Sequence, residues 1–186
     1  MAAARHSLFF ALLPPTELAE QVANATVAWR QSLGLSGQPM EPGRLHLTLL
    51  WIAPEASSAT VSALSEVADR VRQPPVPVRL DRLGRFDRGE GRSCPVVLCS
   101  SSPSSLRGLQ TLQEDLANRA RVAGFPVRVR AGFEPHMTLL YDRHPLVAQP
   151  AGPFAWTAHD FVLIHSFIGE RRHEVLGRWP LSGVAA

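Results

Sequence analysis

The chain has 186 residues, 45% of them hydrophobic, and a formal net charge of +3. That length suits a single domain over residues 1–186 with a sizeable core, and no apolar run approaches the ~18 residues of a membrane span. All 19 basic residues are arginine, which excludes mechanisms that need a lysine amine: Schiff-base catalysis, P-loop phosphate binding and lysyl-adenylate ligation.

Leu8 to Leu13 is an apolar run behind Arg5 with the outline of a secretory leader. Pro14-Pro15 and Glu17 follow in place of a small-residue cleavage site, so the run is read as a buried first strand. Pro14-Pro15-Thr16-Glu17 opens a helix that extends to about Leu33 and stops at Gly34 and Gly37. Arg44 to Ile52 is a strand. Pro54-Glu55 opens a second helix, with Val61, Leu64, Val67, Ala68 and Val71 at helical spacing, ended by Gln73-Pro74-Pro75.

Val76 to Phe86 reads as a strand running into a polar turn, Asp87 to Arg92, and Pro95 to Cys99 as the next strand. Cys94 and Cys99 stand five apart, an odd spacing that points them to opposite faces. They are not expected to pair, and a reducing cytoplasm fits. The serine cluster Ser100 to Ser105 supplies a cap for a third helix, Leu106 to Ala123, with Leu109, Leu112, Leu116 and Ala120 on one face and Gly124 closing it. Phe133 to Tyr141 is a strand, Asp142 to Pro153 a proline-containing loop, and Phe161 to Phe167 with Glu174 to Leu181 a hairpin around Gly169. Three helices and about seven strands make an α+β fold.

The chain echoes itself. One helix precedes Leu45-His46-Leu47-Thr48-Leu49-Leu50, and another precedes Pro135-His136-Met137-Thr138-Leu139-Leu140. The two histidines stand 90 residues apart (46 to 136), about half the chain. Two pseudo-symmetric lobes with antiparallel sheets, facing each other across a central cleft with the helices outside, are the economical reading. Alternation puts His46 and Thr48 on one face of their strand and His136 and Thr138 on one face of theirs, with Leu47, Leu49, Met137 and Leu139 turned to a core. Composition predicts only about 0.3 His-x-Thr triplets by chance, and two are present.

Two imidazoles and two hydroxyls across one cleft suit the opening of a 2′,3′-cyclic phosphate by water. One group must take a proton from water and another must give one to the departing ribose oxygen. Histidine serves both roles because its unperturbed pKa, about 6.5, lies near working pH. Hydroxyls and arginines can hold the non-bridging oxygens. No cofactor and no metal is expected, since no third ligand stands at recognisable spacing from the histidines.

On these residues the chain resembles the 2H phosphoesterase superfamily, specifically the RNA 2′,3′-cyclic phosphodiesterases also called 2′-5′ RNA ligases (the LigT/ThpR group). The resemblance covers nearly the whole chain. Leu8-Phe9-Phe10-Ala11-Leu12 resembles the family's opening strand, and Leu45 to Leu49 its first HxTx motif. Phe133 to Leu139 resembles the F-x-P-H-x-T-L around the second, and Phe161 to Pro180 the final hairpin. The resemblance implies that His46 is the proton donor, that His136 is the acceptor, and that the product keeps a 2′-phosphate while O3′ leaves. It implies RNA ends or small oligonucleotides as partners, no membrane, and a cytoplasmic monomer. Where the family often has a basic residue after P-H-x-T-L-L, this chain has Tyr141; Arg143 is the expected substitute, with Arg44 a second candidate for the phosphate beside Thr48 and Thr138.

Other residues are set aside. Arg128 and Arg130 are read as a solvated strand face, Arg171-Arg172 as a hairpin tip, and Glu134 as a surface residue. His6, His144, His159, His165 and His173 lack motif context. Trp29, Trp51, Trp156 and Trp179 are read as core, although a base could stack on an aromatic near the cleft. Two other functions use the same residues: a 2H phosphodiesterase for 2′-5′ linked oligonucleotides or cyclic nucleotides, and an RNA- or nucleotide-binding module without turnover.

Overall fold

A computed structural model describes residues 5–53, 57–89, 91–127 and 133–183. Arg128 and Arg130, and the expected helix start at Pro54-Glu55, lie outside the described residues. The strands are β1 (Arg5–Leu12), β2 (Leu47–Ala53), β3 (Val76–Arg85), β4 (Cys94–Cys99), β5 (His136–Asp142), β6 (Gln149–Ala158), β7 (Asp160–Ile168) and β8 (Arg172–Pro180). The helices are α1 (Thr16–Ser32), α2 (Ser58–Asp69) and α3 (Pro103–Val122). Among the described residues this is one antiparallel sheet in the order β6-β3-β4-β5-β2-β1-β7-β8.

The order carries the internal echo. β1-α1-β2 on one side repeats as β4-α3-β5 on the other, and the outer strands are β7-β8 and β3-β6 respectively. The halves meet where β2 lies beside β5, through the cross-strand pair Leu47–Met137. The two lobes inferred from sequence are thus halves of one sheet. The helices share a face of it: Ala19 and Val22 of α1, Leu64 and Val67 of α2, and Leu109, Leu112 and Leu116 of α3 join Leu8, Phe10, Leu12, Leu47 and Met137 in one core. The opposite face carries a small separate cluster of Phe9, Ala11, Val162 and Ile164. Phe9 and Ala11 alternate with Leu8, Phe10 and Leu12 along β1, so period-two alternation sorts the two faces.

Local chemistry explains the helix ends. The Ser57 hydroxyl accepts the Thr60 N–H at the start of α2. Ser102 stands at the equivalent position of α3, but its hydroxyl bonds the Ser104 side chain, so the expected serine cap does not form. Gly124, at φ 88°, ends α3 as expected.

Three expectations are corrected. Residues 149–153, read as the end of a proline loop, form with 154–158 the strand β6. Pro150 and Pro153 deny it donors, which a strand tolerates at the sheet edge, where β6 lies. The strand expected from Arg44 begins at Leu47, because Pro42–Arg44 closes a single 3₁₀ turn before it. Trp51 is not core. Trp29, Trp156 and Trp179 pack against the helix-side core, whereas Trp51 is 54% exposed.

Trp51 is turned by a β-bulge. In β2 the pairing with β1 steps from Thr48–Ala11 to Leu50–Phe10, so Leu49 is the extra residue. In β5 the pairing with β4 steps from Thr138–Val97 to Leu140–Val96, so Leu139 is the extra residue. Leu49 with Leu50, and Leu139 with Leu140, are consecutive leucines that all enter the helix-side core. Each bulge reverses the alternation beyond it.

Candidate active site

The pair Leu47–Met137 sets the geometry. In an antiparallel pair it is flanked by His46 opposite Thr138 and by Thr48 opposite His136. Leu47 and Met137 point into the helix-side core, so all four polar residues share the open face. Diagonal positions in such a pair lie about 7–8 Å apart, within the span of one phosphate and its two proton-transfer partners. The structure therefore brings together the four motif residues expected from sequence.

Each imidazole is held the same way. His46 Nδ1 is 2.7 Å from the Arg44 carbonyl, and His136 Nδ1 is 2.9 Å from the Glu134 carbonyl. A carbonyl only accepts, so Nδ1 donates in both rings and Nε2 is left for a ligand. The backbone turn two residues upstream thus fixes tautomer and orientation. Phe9 stacks on His46 at 5.0 Å, and Phe86 meets His136 edge-on at 4.6 Å.

Charge and burial set both rings below the ordinary imidazole value of 6.5. For His46, burial is the main cause; the Arg44 carbonyl opposes it, and the charges of Arg44 and His136 add to it. For His136, burial again leads, the Glu134 carbonyl and carboxylate oppose it, and Arg88 adds to it. Glu134 is itself bound to Arg82 at 2.7 Å. Cys99, the cross-strand neighbour of His136, has its thiol pushed up to about 12 by burial and then by Glu134, so it is not a thiolate nucleophile.

The arginines divide. Arg44 sits in the 3₁₀ turn beside His46 and lines a cleft of about 330 Å³ with Tyr141; its Nε is buried and unpaired among the described residues. Arg143 lies in the exposed turn just beyond β5. Arg88, from the turn after β3, stands 5.6 Å over the Tyr141 ring and close enough to His136 to depress its pKa.

Sequence reasoning missed Arg88 and Phe86, whose approach depends on a turn conformation with no local signature. It also missed His173, which lies 5.1 Å from His46 and is pushed down to about 4 by burial, then by the charges of His46 and Arg44. Phe9 lies in the opening run Leu8 to Leu12, which is apolar at every position and so does not mark it. Arg171 lines the cleft from the β7–β8 turn, while Arg172 lies over Phe167 at 3.4 Å. His6 and His165 bond each other at 2.9 Å.

The sequence profile of the 2′-5′ RNA ligase superfamily matches residues 14–164. The RNA 2′,3′-cyclic phosphodiesterase of Escherichia coli (strain K12) is 34% identical over 181 residues, which cover 94% of this chain and 96% of that protein. The crystal structure of E. coli LigT complexed with 3′-AMP superposes with a TM-score of 0.78 at 32% identity, covering 96% of this chain and 99% of that one. TT0787 of Thermus thermophilus superposes with a TM-score of 0.74 at 25% identity, covering 95% and 98%. With nearly full-length agreement in sequence and fold around the paired His-x-Thr strands, the chain belongs to the 2′-5′ RNA ligase superfamily of 2H phosphoesterases.

Proposed function

We propose that the protein is an RNA 2′,3′-cyclic phosphodiesterase that opens cyclic ends to 2′-phosphomonoesters with His46 and His136. The observation that carries this reading is the convergence of two His-x-Thr segments at Leu47–Met137, each imidazole with Nδ1 committed to a carbonyl and Nε2 available. The activity is that of the E. coli relative. In the proposed step His136 Nε2 takes a proton from water, the water oxygen bonds phosphorus, and the P–O3′ bond breaks as His46 Nε2 gives a proton to O3′. Thr48 and Thr138 donate to the non-bridging oxygens, and Arg44 balances their charge.

The donor assignment rests on the family resemblance. In the free protein the charge of Arg44 disfavours a proton on His46, whereas the charge of Glu134 favours one on His136. An anionic phosphate seated beside His46 acts against the Arg44 charge and raises its affinity for the proton. The whole chain is read as one unit acting as a cytoplasmic monomer on RNA ends or short oligonucleotides, without cofactor. Two free buried cysteines fit that compartment.

The base must start neutral and the acid protonated, so kcat/KM follows a bell. A neutral base exists above its pKa and a protonated acid below its own. With both rings held under 6.5, the bell should peak on the acid side of 6.5. A maximum above pH 7.5 would contradict the burial argument. Thr48→Ala and Thr138→Ala should each cost less than loss of a histidine, about 10- to 150-fold for a lost hydrogen bond to a charged group. Rates on a 2′,3′-cyclic-phosphate oligonucleotide should exceed those on 2′-5′ linked oligonucleotides and 3′,5′-cyclic nucleotides; the reverse ranking would move the assignment to the latter substrates.

A further inference from the structure

The twin bulges place two aromatics where the mechanism uses none. Trp51 and Tyr141 each stand five residues after a motif histidine, each beyond a bulged leucine, and are 54% and 42% exposed. Trp51 is the cross-strand partner of Phe9, and cross-strand partners share a face. Phe9 belongs to the cluster opposite the helix-side core and stacks on His46. Trp51 is therefore on the open face with the histidines. The same count of residues beyond the Leu139 bulge puts Tyr141 there too. Because β2 and β5 run antiparallel, the two rings lie on opposite sides of the Leu47–Met137 pair, each about 10 Å from it, three strand steps at about 3.3 Å once the bulged leucine is left out. A phosphate at the pair would have one aromatic on either side, each within the reach of one nucleoside.

We propose that Tyr141 and Trp51 are nucleobase platforms on the two sides of the phosphate, so that the site grips both nucleosides of a phosphodiester. This rests on the reading of the His-x-Thr quartet as a phosphate site. Bases stack on exposed aromatics whatever their identity, at about 1–3 kcal/mol per base. Tyr141 takes the nucleoside that carries the 2′-phosphate. It shares its cleft with Arg44, the neighbour of His46, and with Gln38, Met40, Glu41 and Arg171. The donor to O3′ is thus on the side of that nucleoside. Gln38 and Glu41 offer polar edges to a base, and Arg88 stands 5.6 Å from the Tyr141 ring centroid. Trp51 takes the second nucleoside, on the side from which water attacks.

The test is calorimetric affinity for three probes in the wild type, Trp51→Ala, Tyr141→Ala, Trp51→Phe and Tyr141→Phe. The probes are inorganic phosphate, adenosine 2′-monophosphate, and a 2′-5′ linked diadenosine monophosphate lacking the neighbouring 3′-hydroxyl, which cannot form a cyclic phosphate. Tyr141→Ala should weaken both nucleotides about 5- to 150-fold, the range of one lost stack. Trp51→Ala should weaken only the dinucleoside, by a similar factor. The phenylalanine variants should retain affinity, and phosphate binding should be unchanged throughout. A Trp51→Ala protein that binds the dinucleoside as tightly as the wild type would overturn the Trp51 platform, and an unchanged mononucleotide affinity in Tyr141→Ala would overturn the other. Failure of phosphate to bind the wild type would remove the phosphate-site reading itself.

Discussion

Alanine at His46 or at His136 is expected to lower kcat/KM for a 2′,3′-cyclic phosphate by about 10²–10⁴-fold, the worth of one positioned proton transfer. Neither ring anchors the core: Leu45, Leu47 and Met137 do that from the other face. The variants should fold, with unfolding transitions near that of the wild type. The two losses are separable with a substrate whose 3′ leaving group is activated, since its departure needs little acid. If His46 is the donor, such a substrate restores His46→Ala far more than His136→Ala. Preferential rescue of His136→Ala would reverse the roles, as the charges of Arg44 and Glu134 in the free protein would favour. Equal rescue would refute a division between acid and base.

Asp142→Ala is expected to cost about 2–4 kcal/mol of stability, read from urea unfolding, with a raised KM as well. The Asp142 carboxylate is buried at the end of β5. Its Oδ2 accepts the backbone N–H groups of Ser36 and Gly37, both at 2.6 Å, and its Oδ1 accepts that of His144 at 2.7 Å. Removing it strands these donors. It also loosens the segment that supplies Gln38, Met40 and Glu41 to the cleft, whose other backbone hydrogen bond to β5 among the described residues is the Met40 N–H on the Leu139 carbonyl. Gly37 belongs to the same joint, because a Cβ there would collide with the Tyr141 carbonyl oxygen. Burial pushes the Asp142 carboxyl up, but the N–H groups of His144, Gly37 and Ser36 more than offset it and hold it below 3.8. A depressed carboxylate stabilises fully above its unfolded value and loses that contribution as pH falls through the folded one. The gap in stability between wild type and Asp142→Asn should therefore shrink below pH 3.8; a gap that widens there would contradict the assignment.

The parts of the fold with strong periodicity were legible. α1, α2 and α3 carry apolar stripes, and β1 carries the family's opening run. The paired His-x-Thr segments announced the site because their chemistry and their alternation agree. What escaped detection depends on pairing between distant segments. The first half of β6 reads as a loop because Pro150 and Pro153 are acceptable only at an edge, and the edge is set by the order of strands. Trp51 reads as core because strict alternation continues it inward, and only the Leu49 bulge, a product of register with β1, turns it outward. Arg88 reaches the Tyr141 ring from a turn after β3, far in sequence from the second motif.

The measurement closest to the central claim is the treatment of an oligoribonucleotide bearing a terminal 2′,3′-cyclic phosphate with the protein in excess EDTA, with the position of the product phosphate determined. Two histidines acting as acid and base predict undiminished opening to a 2′-phosphate, and loss of that product in His46→Ala and His136→Ala. Activity that vanishes in EDTA and returns with a divalent cation, or a product carrying a 3′-phosphate, would contradict it.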